Sequence, residues 1–455
     1  MAFCGGNSDK SYILSLLNGG RAHIHFVGIL GAGMAPLAML LRDLGLTVSG
    51  TDLLDGSRAC ELRRKGISVV SEHNSLGLDG VALVVFTLAV PEDTPELVYA
   101  RAHNIPTVTR AELLGAILSR YLCSLTVSGT HGKSTTVAML DCITSAAGLR
   151  PTVISGATLT DGSSLRLGAS DLAIAEACEY RRAFLHLNPS LALVTNVELD
   201  HTDCYPTERD MYEAYLCFLR SSGTAILNID CPLSRRLAGE DGITAYTYGT
   251  GEADVRLIYH ELRAESTYML VLIEGEVYDF TLSVTGRGNL YDALAAIAAA
   301  VRLGISPATI REGLAAFCGI GRRLEAIGEL DGRAVYYDYA HHPTEIENTL
   351  TTLGMRHGRV SVVFRPHTYS RTASFMDDFA RVLRMAADAV ILDIYPAREA
   401  PIPGVTSAAL AERIGKSAVH LDGEKALDYL LSREPSAIVL LGAGEMDGIL
   451  NKIKK

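Results

Sequence analysis

Residues 122–135, LCSLTVSGTHGKST, join an apolar run to a glycine-containing turn and the start of a helical pattern. The apolar run predicts a strand over 122–127, and the pattern after the turn predicts a helix over 134–147. Glycines between a strand and a helix let backbone N–H groups close on a phosphate, and the helix dipole favours that anion. The stretch therefore predicts a βα unit that binds a nucleotide.

The loop departs from a standard Walker A motif by one position, because Val127 stands where GxxxxGK[ST] has its first glycine. Its lysine is unusual in another way. Lys133 is the only lysine between Lys65 and Lys416 in a chain that otherwise uses arginine. An ammonium kept at this position fits phosphate binding, whereas a merely solvated lysine is disfavoured at the positive end of a helix dipole. The candidate nucleotide-binding residues of the loop are Gly129, Thr130, His131, Gly132, Lys133, Ser134 and Thr135.

Three candidate metal ligands lie in the phosphate loop and after the next apolar runs. Ser134 offers a hydroxyl, Glu176 ends the run 172–175, and His201 lies in the acidic segment 195–203. We expect these three to hold the metal. Glu176 as an ordinary surface carboxylate and His201 as a hydrogen-bonded structural histidine remain open.

The N-terminal segment has its own glycine turn. A strand over 23–27 leads into Gly28, Gly31 and Gly33, then a helix over 34–44. An NAD-dependent dehydrogenase is one alternative here, but the glycines read GxxGxG rather than GxGxxG, which disfavours it. Asp52, after the second strand, is expected to face a ribose or to cap the next helix.

The rest of the chain repeats the β/α alternation and predicts an α/β protein of three domains. We place the domains at 1–117, 118–323 and 324–455. Short alternating strands between 225 and 284 predict an antiparallel insertion or a sheet edge, and a helix is expected over 291–303. Buried runs at 360–364, 389–394 and 437–441 indicate the third domain.

Composition restricts the classes of partner. A net charge of -11 argues against nucleic acid, and the longest apolar stretch, 81–90, is too short for membrane insertion. The first 20 residues lack the basic and apolar order of a signal peptide, and the nine cysteines form no CxxC, so we expect a cytoplasmic protein with reduced thiols.

Taken together, the motifs resemble the Mur ligases of peptidoglycan precursor synthesis, over nearly the whole chain and in the family's order. The matching segments are GILGAGM at 28–34, GTHGKST at 129–135, EACEY at 176–180, NVELDH at 196–201, GRR at 321–323, DYAHHP at 338–343 and PHTYSRT at 366–372.

The resemblance implies a Rossmann-like N-terminal domain that binds a UDP-sugar, a central P-loop ATPase domain and a Rossmann-like C-terminal domain that closes over the site. It implies ATP-dependent joining of L-alanine to the lactyl carboxylate of UDP-N-acetylmuramate through an acyl phosphate, with ATP and Mg²⁺. We expect a monomer or a weak homodimer.

It also implies residue roles. Lys133 contacts the ATP phosphates, while Ser134, Glu176 and His201 hold magnesium. Further nucleotide contacts are Asn289, Arg323 and Asp338. The substrate contacts are Gly28, Gly31, Gly33, Met34, Asp52, Asn196, Tyr339, His341, His367 and Arg371. The catalytic group comprises Lys133, Glu176, His201, His341 and Arg371.

The sequence departs from the family pattern at Gly288 and Asp292, which replace a histidine and an asparagine on the adenine side, and at Leu88 in the first domain. With no lysine between Ser134 and Gly415, the carbamylated lysine of some members is excluded, as in the alanine-adding branch. A ligase for a recycled tripeptide and a non-enzymatic nucleotide-gated module remain alternatives. The paired histidines His341 and His342 argue against the module.

Overall fold

The structure is a computed structural model that describes residues 10–397, 399–443, 446–450 and 453. It contains three β-sheets in chain order, each covered by helices, as the α/β prediction requires. Residues 1–9, on which part of the signal-peptide argument rests, lie outside the described residues. In the described part, eight cysteines are free thiols, and no helix is long and apolar enough to cross a membrane.

The N-terminal sheet has five strands, all parallel, in the order β3-β2-β1-β4-β5. Its strands are β1 (His23–Val27), β2 (Thr47–Thr51), β3 (Ser68–Val70), β4 (Leu83–Phe86) and β5 (Thr107–Thr109). Its helices are α1 (Lys10–Gly19), α2 (Ala35–Asp43), α3 (Ser57–Arg64), α4 (Pro95–Ala102) and α5 (Arg110–Leu118). This is the predicted Rossmann-like unit, with strand order reversing beside β1.

The central sheet has ten strands in the order β15-β14-β13-β12-β11-β10-β6-β9-β7-β8. Its strands are β6 (Cys123–Ser128), β7 (Thr152–Ile154), β8 (Leu165–Arg166), β9 (Leu172–Glu176), β10 (Leu191–Val194), β11 (Thr224–Asn228), β12 (Ala245–Gly249), β13 (Val255–Leu262), β14 (Thr267–Ile273) and β15 (Glu276–Leu282). Its helices are α6 (Lys133–Ala146), a 3₁₀ helix (Tyr180–His186), α7 (Glu208–Arg220), α8 (Pro232–Ala238), α9 (Arg287–Arg302) and α10 (Pro307–Ala315).

The segment 225–284, predicted as an antiparallel insertion or a sheet edge, is antiparallel only in its later part, which forms one edge of the central sheet. β11 and β12 pair in parallel with the sheet core, and only β13, β14 and β15 form an antiparallel meander. The reason is the helix α8 between β11 and β12, which supplies the crossover that parallel neighbours need.

The C-terminal sheet has six strands in the order β16-β17-β21-β18-β19-β20, of which only β16 and β17 pair antiparallel. Its strands are β16 (Glu325–Leu330), β17 (Arg333–Asp338), β18 (Val360–Phe364), β19 (Ala389–Ile391), β20 (Ala418–His420) and β21 (Ala437–Leu441). Its helices are α11 (Pro343–His357), α12 (Tyr369–Ser374), α13 (Met376–Leu383), α14 (Ser407–Ile414), α15 (Gly423–Leu431) and α16 (Asp447–Leu450).

Helix α6, which carries the phosphate loop, is fixed by close contact with α10. A Cβ atom on Gly313 of α10 would collide with the Cα of Ile143 in α6 and would lie 2.8 Å from the Ile143 nitrogen. The apolar face of α6 packs against the alanine-rich α9 as well. The loop is therefore anchored by a helix held between two others.

We expect Gly313→Ala to lower the thermal unfolding midpoint, because the added methyl group forces two backbones apart at a typical cost of about 1–3 kcal/mol. The matched control is Gly354→Ala, since Gly354 lies within α11 and a Cβ there meets nothing within 4 Å. The control should unfold at or above the parent temperature, as alanine favours helices. Equal midpoints for Gly313→Ala and the parent in calorimetry would contradict this close contact.

Candidate active site

The phosphate loop connects β6 to α6 and takes the conformation that its glycines allow. Gly129 and Gly132 have φ values of +133° and +82°, and a Cβ on Gly129 would collide with the Thr195 hydroxyl. The Asn196 side chain accepts a hydrogen bond from the His131 nitrogen at 2.9 Å and donates one to the His131 carbonyl at 3.2 Å. Asn196, predicted to contact substrate, thus clamps the loop in this structure.

The ammonium of Lys133 folds back over the loop and pairs with Glu179. Its Nζ lies 3.0 and 3.1 Å from the two carboxylate oxygens and also donates to the carbonyls of Gly129 and Thr130. Burial opposes the charge on Lys133, but Glu179 outweighs it and raises the lysine pKa. Burial likewise opposes ionisation of Glu179, and Lys133 keeps its pKa below the usual value. Sequence reasoning missed Glu179, although it lies in the EACEY segment.

The three predicted magnesium residues line one cavity of about 890 Å³. Glu176 accepts hydrogen bonds from the Ser155 hydroxyl at 2.9 Å and the Gly156 nitrogen at 2.7 Å. His201 Nε2 lies 3.6 Å from a Glu179 oxygen. The Ser134 hydroxyl and the carboxylates of Glu176 and Glu179 line one space, and these oxygens fit a hard cation such as Mg²⁺.

The C-terminal domain contributes a buried arginine to the same cavity. Arg371 donates to Asp200 through Nε at 3.0 Å and through Nη2 at 2.9 and 3.0 Å. Its Nη1 donates to His367 Nδ1 at 3.0 Å. The two side chains of the pair are 7% and 5% exposed. The pair joins helix α12 to the loop that follows β10.

His341 and His367 are both neutral at physiological pH. Burial lowers the pKa of His341 to about 3 and that of His367 to about 4. His341 Nδ1 lies 2.8 Å from the Tyr339 carbonyl and therefore carries the proton, which leaves Nε2 as an acceptor. His367 has the opposite tautomer, since its Nδ1 accepts from Arg371.

The predicted adenine-side residues line a second cavity, of about 750 Å³. Asn289 donates to the Thr285 carbonyl at 2.8 Å, and Arg323 lies 3.3 Å from Glu345. Asp338 accepts from the Thr349 hydroxyl at 2.7 Å, and burial raises its pKa to about 6. Both cavities share His131, Gly132, Arg323 and Glu345 in their walls, so they meet at the phosphate loop.

His131 lies between carboxylates of two domains. Its Nδ1 is 3.3 Å from Glu345 and its Nε2 is 3.5 Å from Glu198. Burial opposes its charge, but the carboxylates, Glu345 foremost, raise the His131 pKa to about 9. Neither acid was singled out from the sequence. Glu198 fell within the acidic segment, while Glu345 reads as an ordinary capping residue of α11.

The N-terminal domain reaches the 890 Å³ cavity through Ala32, Arg58, Glu61, Leu88 and Ala89. Asp52 binds the glycine turn, accepting from the Leu30 nitrogen at 2.9 Å. The glycines Gly28, Gly31 and Gly33 form the turn before α2, while the Met34 side chain is buried in the apolar core. Of the expected substrate contacts here, the glycines thus lie in one turn, and Asp52 holds that turn from the end of β2.

Three family models match consecutive parts of the chain. The Mur ligase family catalytic domain matches residues 23–122, the Mur ligase middle domain 127–300, and the Mur ligase glutamate ligase domain 322–444. Each model covers one of the three sheets.

Similar curated proteins span nearly the full chain. A UDP-N-acetylmuramate--L-alanine ligase of Clostridium novyi is 35% identical, with 95% of this chain and 97% of that protein covered. The enzyme of the same name from Halorhodospira halophila is 40% identical, with 94% and 92% covered.

Solved structures share the fold of this chain. The UDP-N-acetylmuramate-alanine ligase of Thermotoga maritima superposes with a TM-score of 0.80 at 26% identity, covering 94% of this chain and 97% of that one. A murein peptide ligase of Psychrobacter arcticus, at 23% identity, shares the fold with a TM-score of 0.72, covering 95% and 100%.

We expect Glu179→Gln to lower the thermal unfolding midpoint most strongly without nucleotide, because the buried Lys133 ammonium loses its counter-charge at a cost of roughly 3 kcal/mol. Phosphate groups of added Mg·ADP should replace that charge and shrink the difference from the parent. Glu213→Gln, which removes an exposed pair with Arg209, serves as the control and should change little. An equal loss with and without nucleotide would count against Lys133 as the phosphate ligand.

Proposed function

The chain belongs to the Mur ligase family, and on that premise we propose that it joins L-alanine to the lactyl carboxylate of UDP-N-acetylmuramate while ATP is converted to ADP and phosphate. This reaction serves peptidoglycan precursor synthesis. The curated relatives named above carry this activity in their names and are similar over nearly all of their length.

One observation of the structure carries the proposal: a single cavity of about 890 Å³ is built by all three domains. The N-terminal domain contributes Arg58 beside the glycine turn, the central domain contributes Lys133, and the C-terminal domain contributes Arg371. A ligase must hold a sugar nucleotide, a triphosphate and an amine together, so a cavity of this composition suits it. A nucleotide-gated module would not need cations from three domains.

In the first step, a carboxylate oxygen of the sugar forms a bond to the γ-phosphorus of ATP, the bond to the bridging oxygen breaks, and ADP leaves. Protein catalysis of phosphoryl transfer is mainly positioning and charge stabilisation. Lys133 already gathers carbonyl and carboxylate oxygens around its three donors, and phosphate oxygens would take their place. Arg323, in the wall shared by both cavities, adds a second positive charge.

Ser134 and Glu176, with His201 or Glu179 opposite, are the residues that would hold Mg²⁺ in this cavity. When bound, the ion supplies further neutralisation of the phosphate charge. The chain's own contribution is to fix the carboxylate of Glu176 through Ser155 and Gly156 before any ligand arrives.

In the second step, the amine nitrogen attacks the acyl carbon of the acyl phosphate, the bond to the phosphate oxygen breaks and its electron pair leaves with the phosphate, and the amine proton passes to that phosphate or to water. His341 presents an unprotonated Nε2, which suits it to accept a hydrogen bond from the amino group. Arg371, held by Asp200, places positive charge where the oxyanion and the alanine carboxylate need it.

Other parts of the proposal rest on the sequence alone. We propose the domain limits 1–117, 118–323 and 324–455, a cytoplasmic location, and a monomer or weak homodimer. The three sheets lie within those limits.

The reaction is tested by ATP-dependent release of inorganic phosphate in the presence of UDP-N-acetylmuramate. We expect L-alanine to support the highest kcat/KM among L-alanine, glycine, L-serine and a peptidoglycan tripeptide. Release that requires the tripeptide would favour the recycling ligase instead, and no release with any amine would refute the proposal.

Lys133→Ala should reduce turnover at least about a hundredfold, since loss of one transition-state charge stabiliser has that scale of effect. Lys65→Ala is the matched control, because Lys65 makes an exposed ion pair with Asp43 in the N-terminal domain. The control should retain parental kcat and KM in the phosphate-release assay. Similar rates for both variants would show that the phosphate loop does not take part in phosphoryl transfer.

A further inference from the structure

One side-chain cluster at the domain junction combines two histidines and an acid to which the reaction steps above assign no role. We name it the imidazole cluster: His131 of the phosphate loop, Glu198 after β10, and His342 at the start of α11. One nitrogen or oxygen atom of each lies within 4.8 Å of the others. Within the part of the chain that the structure describes, no other three histidine, cysteine or acidic residues meet so closely.

Two nitrogens of the imidazole cluster are buried and make no hydrogen bond to the described residues: His342 Nε2, and His131 Nε2, which faces a Glu198 oxygen at 3.5 Å. His342 is only 5% exposed, and its ring centroid lies 4.5 Å from that of His131. Buried polar atoms are nearly always satisfied, and an ion is one of the few groups that can satisfy two imidazole nitrogens at once. The orphaned atoms therefore point to a ligand between the rings.

The surroundings of His131 are those of a metal-binding imidazole. Glu345 lies 3.3 Å from Nδ1 on the far side of the ring, where a carboxylate fixes the tautomer and raises the basicity of Nε2. Nε2 lies 3.5 Å from Glu198 Oε2. Two ligand atoms about 2.1 Å from a tetrahedral ion are separated by about 3.4 Å, so this spacing needs little adjustment.

Glu198 is itself held in place. The Thr344 hydroxyl donates to Oε2 at 2.7 Å, which orients the carboxylate toward the junction. His342 would have to bind through Nε2 with the proton on Nδ1, so the 3.3 Å hydrogen bond from the Thr344 nitrogen to Nδ1 would be lost. That hydrogen bond is long, and a metal–nitrogen bond to Nε2 would compensate for its loss.

We propose that His131, Glu198 and His342 bind a divalent transition-metal ion such as Zn²⁺ or Co²⁺, with water completing the coordination. Two imidazole nitrogens and one carboxylate favour these ions, whereas Mg²⁺ and Ca²⁺ prefer oxygen ligands. The ion takes the place of the proton on His131 Nε2, which otherwise faces Glu198, while Nδ1 keeps its contact with Glu345.

The imidazole cluster is distinct from the proposed magnesium residues Ser134, Glu176 and His201. It also spans two domains, since His131 and Glu198 lie in loops of the central domain and His342 precedes α11 of the C-terminal domain. A bound ion therefore links these two domains, beside the cavity of about 750 Å³ that His131 and Glu198 line.

The test is a titration of the metal-free, nucleotide-free full-length chain with Co²⁺, followed by its visible d–d absorption. We expect tetrahedral bands that Zn²⁺ abolishes and that excess Mg²⁺ leaves in place. His342→Asn and Glu198→Gln should each weaken Co²⁺ binding at least about tenfold. Asparagine is a good helix N-cap and glutamine keeps the shape of glutamate, so both variants should fold.

Two control variants locate the ion. His260→Asn removes an exposed histidine of β13, and His201→Asn removes the imidazole of the proposed magnesium set. Both should bind Co²⁺ as the parent does. Parental affinity in His342→Asn and Glu198→Gln, absence of tetrahedral bands, or loss of binding in His201→Asn would each overturn the proposal. The readout involves no turnover, so its failure is separable from failure of the ligase activity.

Discussion

The candidate site depends on one buried ion pair, Arg371 with Asp200, which joins the C-terminal domain to the central domain. Three hydrogen bonds connect the two groups, and both are almost completely removed from water. Removing one partner of such a pair costs about 3–5 kcal/mol, because the other charge stays buried. The same pair positions two neighbouring histidines. His201 follows Asp200 in the chain, and the remaining guanidinium nitrogen of Arg371 fixes the tautomer of His367.

A topological constraint explains why so many functional side chains reach that pair. β10, β6 and β9 are adjacent parallel strands, so the loops after their carboxyl ends lie side by side. The loop after β10 contains Asn196, the loop after β6 is the phosphate loop, and the segment after β9 contains Glu179. In the third sheet, β17 and β18 flank β21 and end at Asp338 and Phe364, just before the histidines. The two sheets face each other through these strand ends.

Individual helices and strands were predictable because each depends on the residue pattern of one short stretch of sequence. The helix expected over 134–147 is observed over 133–146, and the strand expected over 23–27 has those bounds. Strand direction between 225 and 284 was not predictable, since alternating burial is the same in either direction. The family, the activity and the three-domain architecture were predicted from a few spaced motifs, and the similar proteins and the fold confirm them. The individual roles of the site residues stay predictions.

Side-chain pairs between residues far apart in the chain could not be predicted from the sequence. Asp200 and Arg371 are 171 residues apart, and no local pattern marks one as the partner of the other. No side-chain partner for Lys133 was predicted from the sequence, and the structure pairs it with Glu179, three residues beyond the end of β9. The chain turns sharply after that residue, where Arg181 and Arg182 have φ values of +50° and +57°. Irregular backbone of this kind carries no periodicity from which a side-chain direction can be predicted.

Asp292 shows how burial can compensate for a change of residue type. The family pattern has an asparagine at this position, and a charged carboxylate beside the phosphate loop would repel the nucleotide. Asp292 lies against Gly132, and burial raises its pKa to about 8. At neutral pH the group is therefore mostly a protonated carboxylic acid, with one O–H donor and one carbonyl acceptor. An asparagine amide offers the same pair of functions in nearly the same shape. Aspartate in place of asparagine thus keeps the hydrogen-bonding pattern below that pKa. Above it the pattern is lost, because the negatively charged Asp292 carboxylate would face the phosphates.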